Sequence, residues 1–78
     1  MKTIVLVEDE KDLNSLIKAY LEKAGYNVIC YLNGEEAIEN TNIEAHLWIL
    51  DIMLGGDISG YDILKKIRET NDEVPVIF

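Results

Sequence analysis

His46-Leu47-Trp48-Ile49-Leu50-Asp51-Ile52-Met53-Leu54 is the stretch that decides the fold. Four consecutive apolar residues, Leu47 to Leu50, run straight into one carboxylate, and a loop carrying Gly55, Gly56 and Gly60 follows. A short run that is apolar on both faces is the pattern of a strand buried in a parallel sheet, because helices cover both sides and no face alternates toward water. Sheets of this kind place their chemistry just beyond the carboxyl ends of the strands. Asp51 stands at such an end.

Upstream, Thr3-Ile4-Val5-Leu6-Val7 is another two-faced apolar run, hence a central strand, closed by Glu8-Asp9-Glu10. Leu13, Leu16, Ile17, Tyr20, Leu21 and Ala24 then repeat at helical spacing, and Gly25 ends that helix. Tyr26 to Tyr31 is a second strand, whose interspersed polar residue and tyrosines suit an edge. Asn33-Gly34 leads into a short helix, Glu35 to about Asn40, with Ala37 and Ile38 inward and acids in its first turn. Asn40 to Ala45 is a loop. Downstream, Ser59-Gly60-Tyr61-Asp62 has capping-box spacing, and Ile63, Leu64 and Ile67 form the inner face of a third helix. Asn71 to Glu73 is a turn, and Val74 to Phe78 opens a fourth strand with Pro75 near its start. Strand and helix alternate throughout, which predicts a parallel sheet with helices on its faces in one domain, residues 1–78.

The composition limits the function. Net charge is −8 over 78 residues, which argues against gripping nucleic acid and suits a basic partner surface or a bound cation. A chain this short buries only about 60% of its unfolded surface and is marginal. The single cysteine, Cys30, forms no internal disulfide and sits in an apolar run, consistent with a small hydrophobe in a reducing, cytoplasmic setting. There is no signal peptide and no membrane-spanning run.

The first strand ends at Glu8-Asp9 and the third at Asp51. If they are neighbours, about 4.8 Å apart, three carboxylates converge and raise one another's pKa. A hard cation removes that conflict, and magnesium matches oxygen ligands with few carboxylates. His46 stands alone, so nothing resembles a zinc site. A plainer reading is also open: Asp9 caps the first helix, with Glu8 and Glu10 favoured by its dipole, while Asp51 ends a strand and bonds its own loop.

With these residues in place, the chain resembles the receiver domain of bacterial two-component response regulators. Leu6-Val7-Glu8-Asp9-Glu10, Leu50-Asp51-Ile52-Met53-Leu54 and Gly60-Tyr61-Asp62-Ile63-Leu64-Lys65-Lys66-Ile67-Arg68 carry the likeness, which runs from Ile4 to Phe78. The resemblance implies a flavodoxin-like, doubly wound parallel sheet, here strands one to four in order 2-1-3-4 with three helices of a five-strand, five-helix fold. It implies that Asp51 is the phosphoacceptor for a sensor histidine kinase. It also implies a Mg2+ site formed by Glu8, Asp9, Asp51 and the backbone carbonyl of Met53, whose thioether is no ligand for a hard cation. Control of transcription follows only by analogy, with DNA reached through an output domain outside this chain.

Two departures from the family pattern stand out. Gly55 occupies a position where proline is usual, and the loop through Gly56-Asp57-Ile58-Ser59 is one residue longer; Asp57 is expected to be a solvated loop acid. The chain also stops inside an apolar strand, before the family's Ser or Thr and its Lys. A truncated domain is therefore expected, one that binds magnesium weakly and phosphorylates poorly. In the resembled fold the first and fifth helices cover one sheet face, so the face over strands three and four is expected to be bare. A homo-oligomer or element-swapped dimer should follow.

Other classes fit less well. A haloacid-dehalogenase-type phosphatase needs a second aspartate at position 53, which is methionine, and a dinucleotide-binding unit needs a glycine-rich turn where Glu8-Asp9-Glu10 stands. A phosphorylation-independent, receiver-like interaction scaffold is the alternative that the residues leave open.

Overall fold

The computed structural model describes all residues, 1–78. Seven elements alternate: β1 (Thr3–Val7), α1 (Lys11–Lys23), β2 (Asn27–Tyr31), α2 (Gly34–Ile38), β3 (Leu47–Leu50), α3 (Gly60–Thr70) and β4 (Val76–Ile77). The strands form one sheet in the order β2-β1-β3-β4, and every pairing is parallel. β1 is central because both its faces are apolar: Ile4, Val5, Leu6 and Val7 are all buried.

Side chains alternate across the sheet, and this divides the interior in two. Val5 and Val7 of β1, Trp48 and Leu50 of β3 and Tyr31 of β2 share one core with Ala37 of α2 and with Ile63 and Ile67 of α3. The intervening residues, Ile4, Leu6 and Val28, point the other way and are buried where α1 lies against β1 and β2. Burying each large aliphatic or aromatic side chain fully is worth about 1.5–3 kcal/mol. The set of very large ones is short: Trp48, Leu6, Leu50, Ile63 and Ile67 lead it.

The predicted elements are all present, with shorter ends. β4 has two residues rather than five, and α2 begins at Gly34 and stops at Ile38. β2 takes the edge position expected of it, and its Tyr31 is nonetheless buried and belongs to the core. Gly25 stops α1 with φ +100°, the left-handed region that glycine enters without a Cβ penalty. Ser59 and Asp62 close a reciprocal capping box at the start of α3, while Arg68 donates to the carbonyl oxygens of Asn71 and Val74 and so ties the turn into β4.

The α1 face differs from its expectation. Leu13, Leu16, Tyr20 and Ala24 are exposed, and Ile17 and Leu21 are only partly covered. The helix has turned so that the line through Asn14, Ile17 and Leu21 faces the sheet, and Asn14 is its one buried residue. On that same face Leu47 and Ile49 are partly exposed and Ile77 is half exposed, so the expected bare surface over β3 and β4 is present.

These burials predict contrasting costs. Ile63→Ala, at a fully buried position shared by α3 and the sheet, should destabilise the chain by about 2–5 kcal/mol. Leu16→Ala on the exposed stripe should change it by less than about 0.5 kcal/mol. Urea denaturation of the two variants checks both values.

Candidate functional site

The parallel register sets Val7 beside Leu50, so the residues that follow them, Glu8 and Asp51, leave the sheet side by side. The Asp51 amide donates to the Val7 carbonyl oxygen at 3.0 Å, and the Glu8 amide to that of Tyr31 at 3.2 Å. Pairing thus continues one residue past each strand, and both acids are held by backbone before their side chains do anything. Carboxylate oxygens of Glu8, Asp9 and Asp51 all lie within 4.8 Å of one another. The three acids singled out from the sequence are brought together.

Their surroundings differ. Glu8 is 8% exposed, Asp51 is half-buried and Asp9 is open to solvent. Burial pushes the Glu8 carboxyl above its ordinary range, and the charges of Asp51 and Asp9 push the same way, while the Glu10 amide, donating to Glu8 Oε2 at 2.9 Å, partly opposes them. No lysine or arginine pairs with the cluster; the sole ion pair in the structure is the exposed Lys66–Glu69 pair on α3. The donor set is therefore hard, anionic, uncompensated and close-set, and it fits a small divalent cation that accepts oxygen ligands.

The plainer reading of Asp9 does not hold. Glu10 is the N-cap of α1, accepting from the amides of Asp12 and Leu13, so Asp9 is left to project into the cluster. Asp51 does bond its own loop, taking the Met53 amide on Oδ1 at 3.2 Å. Its other oxygen has no protein donor. Met53 is 80% exposed, so it lies in solvent rather than in the core.

The loop after Asp51 explains the missing proline. Gly55 has φ +73°, whereas proline is held near −65°. A Cβ at this glycine would also stand 3.0 Å from Asp9 Oδ2. Further on, the Gly60 amide bonds the Ile52 carbonyl oxygen at 2.9 Å, and a Cβ at Gly60 would run into the carbonyl oxygen of Asp51. The start of α3 is thus seated directly on the backbone that carries the central carboxylate. Asp57 is exposed, as expected. Cys30 is half-buried, and burial pushes its thiol up.

Two contributors were not singled out from the sequence: Gly60 and Asn14. Gly60 reads from the sequence as a loop glycine and a member of a capping box, and nothing local marks it as a contact glycine. Asn14 did leave a signal, a polar residue in line with Ile17 and Leu21 at the third and seventh positions after it.

Comparison with known proteins agrees with this geometry. The response regulator receiver domain profile matches residues 4–78. The transcriptional regulatory protein CssR of Bacillus subtilis is 49% identical over 76 residues, which is 97% of this chain and 33% of CssR. The response regulator TrrA of Thermotoga maritima, solved in complex with Mg2+ and BeF, superposes with a TM-score of 0.86 at 35% identity. That match covers 99% of this chain and 66% of the TrrA chain. TrrA solved in complex with the histidine kinase ThkA gives the same TM-score at 34% identity, over 99% of this chain and 67% of the TrrA chain. The chain spans about a third of the length of CssR. A four-strand parallel sheet in receiver order, carrying three converged carboxylates at its carboxyl edge, and a profile match over nearly every residue lead to one conclusion: this chain belongs to the response regulator receiver domain family.

Proposed function

We propose that this chain is the phosphoacceptor module of a two-component response regulator, in which Asp51 takes a phosphoryl group from a sensor histidine kinase with Mg2+ held at the acidic pocket. The convergence of Glu8, Asp9 and Asp51 within 4.8 Å carries this reading. In the step, an Asp51 carboxylate oxygen attacks the phosphorus of a phosphohistidine; the new O–P bond forms as the P–N bond breaks, and the departing imidazole takes up a proton. The protein's part is mainly placement and charge compensation. Asp51 is the nucleophile, fixed by the Val7 carbonyl and the Met53 amide. Glu8, Asp9, Asp51 and the Met53 backbone carbonyl are the residues that would hold the ion. When bound, the cation would shield the phosphoryl oxygens from these acids.

By the same reading the chain acts in the cytoplasm as part of a longer protein that controls transcription, with DNA contacted outside residues 1–78. Support comes from the names of relatives such as CssR and from the ThkA complex of TrrA; no helix here is long and apolar enough to cross a membrane. Self-association is part of the proposal, supported by the half-exposed Ile77 and Phe78 and the partly exposed Leu47 and Ile49 beside the edge strand β4.

Three outcomes test it. In the full-length protein, Asp51→Asn should reduce Mg2+-dependent phosphoryl transfer from the phosphorylated kinase to background and abolish output. Output that survives the substitution would favour a phosphorylation-independent scaffold instead.

The pocket's charge gives a second outcome. Because the folded-state pKa of Glu8 is raised, the native chain binds more protons than the unfolded chain between the ordinary carboxylate range and the raised value. Stability therefore falls as pH rises through that window. Asp51→Asn removes one of the charges responsible, so the metal-free variant should melt above the unmodified chain at pH 7 and lose that advantage near pH 3. Adding Mg2+ at about 100 times its dissociation constant should stabilise the unmodified chain by roughly 2.7 kcal/mol, and Asp9→Asn much less. Thermal melts with and without Mg2+ read both effects.

Light scattering provides the third. The chain should run at a mass of at least a dimer of its 8.9 kDa at high concentration, and Ile77→Lys should shift it toward monomer.

A further inference from the structure

Asn14 is polar, 4% exposed and the one buried residue of α1. Its Nδ2 donates to the Glu8 carbonyl oxygen at 2.9 Å and to the Tyr31 carbonyl oxygen at 3.0 Å, so one amide bridges the ends of β1 and β2. No backbone amide reaches the Glu8 carbonyl, whereas that of Tyr31 also accepts from the Glu8 amide. The Asn14 backbone amide donates to the Glu10 carbonyl at 2.9 Å, and the Glu10 amide donates to Glu8 Oε2. The turn from Glu8 to Glu10 is thereby fastened to β2, to α1 and to itself, and Asp9 is its middle residue.

We propose that Asn14 is the positioning residue of the acidic pocket, holding Glu8 and Asp9 at fixed spacing from Asp51 and so setting divalent-cation affinity without touching the ion. The inference rests on the pocket reading above. Three carboxylates that repel one another drift apart unless their backbone is held, and any drift must be reversed when a cation binds. Asn14 supplies that hold through the Glu8 carbonyl, a group that only a side-chain donor reaches. An apolar residue at this position would extend the Ile17–Leu21 face and strand that carbonyl, a cost incurred whenever a buried acceptor loses its donor. Groups that support metal ligands from behind typically change affinity by about 10–100-fold when removed.

The test is calorimetric titration of MgCl2 into the unmodified chain, Asn14→Ala and Ile67→Val, with amide hydrogen exchange of each metal-free protein. Asn14→Ala should weaken Mg2+ binding about 10–100-fold and speed exchange of the Glu10 amide. Ile67→Val lies beside Trp48, Asn71 and Val74, away from the pocket; it should lower the melting temperature and leave Mg2+ affinity unchanged. Should Asn14→Ala fail to fold, the side-chain amide protons of Asn14 in the unmodified chain decide by NMR: they should exchange slowly and shift when Mg2+ is added. Unchanged affinity in Asn14→Ala, or Asn14 amide protons that exchange as in solvent and ignore Mg2+, overturns this inference alone. Absence of any Asp9-dependent Mg2+ binding in the unmodified chain overturns the pocket reading and this inference with it.

Discussion

The register between β1 and β3 is the constraint on which the rest depends. Pairing Val7 with Leu50 sends Glu8 and Asp51 off the same rim of the sheet, and a slip of one residue would turn each side chain to the opposite face. The hydrophobic faces enforce the match. Val5, Val7, Trp48 and Leu50 must all point at α2 and α3, and Ile4 and Leu6 at α1. Apolar packing therefore holds together an arrangement that electrostatics alone would disperse. The acids are close because the core leaves the backbone no alternative.

Placing charge against charge in so small a chain has consequences for the elements around it. Only a few large side chains are completely buried, so repulsion at the rim acts on a fold with little stability in reserve. The structure meets this with backbone-directed bonds rather than counter-charges. Glu10 caps α1, its amide reaches back to Glu8, Asn14 ties Glu8 to β2, and Gly60 lets α3 sit on Asp51. None of these groups neutralises a carboxylate. They keep the pocket negative and fixed, which is what a binding site for a hard cation requires.

The two faces of the sheet are unequally covered. α2 and α3 close one side around Trp48, whereas α1 alone lies on the other and reaches β1 and β2. On that side α1 meets the sheet along a narrow line through Asn14, Ile17 and Leu21, and Leu13, Leu16 and Tyr20 lie outside it. β4 is paired on one side only.

What the sequence determined by itself was the order of elements and the chemistry at their ends. Two-faced apolar runs identify β1 and β3 because they are only four or five residues long, too short for a buried helix, and the carboxylates that close them are visible as the first polar residues after each run. The capping box at Ser59 and the stop at Gly25 are equally local and equally legible. What only the tertiary structure decided were choices between competing local options. Asp9 and Glu10 are both adequate caps; Glu10 takes the role because the turn is held by Glu8 and Asn14, which leaves Asp9 for the pocket. Six apolar residues of α1 offered more than one inward face, and the helix chose the line through Asn14 because the ends of β1 and β2 needed an amide there. Gly55 gave no sign of its positive φ until the loop had to pass Asp9. The Asn14–Tyr31 bond and the approach of Gly55 to Asp9 join residues distant in the chain, and a local pattern carries no information about such contacts.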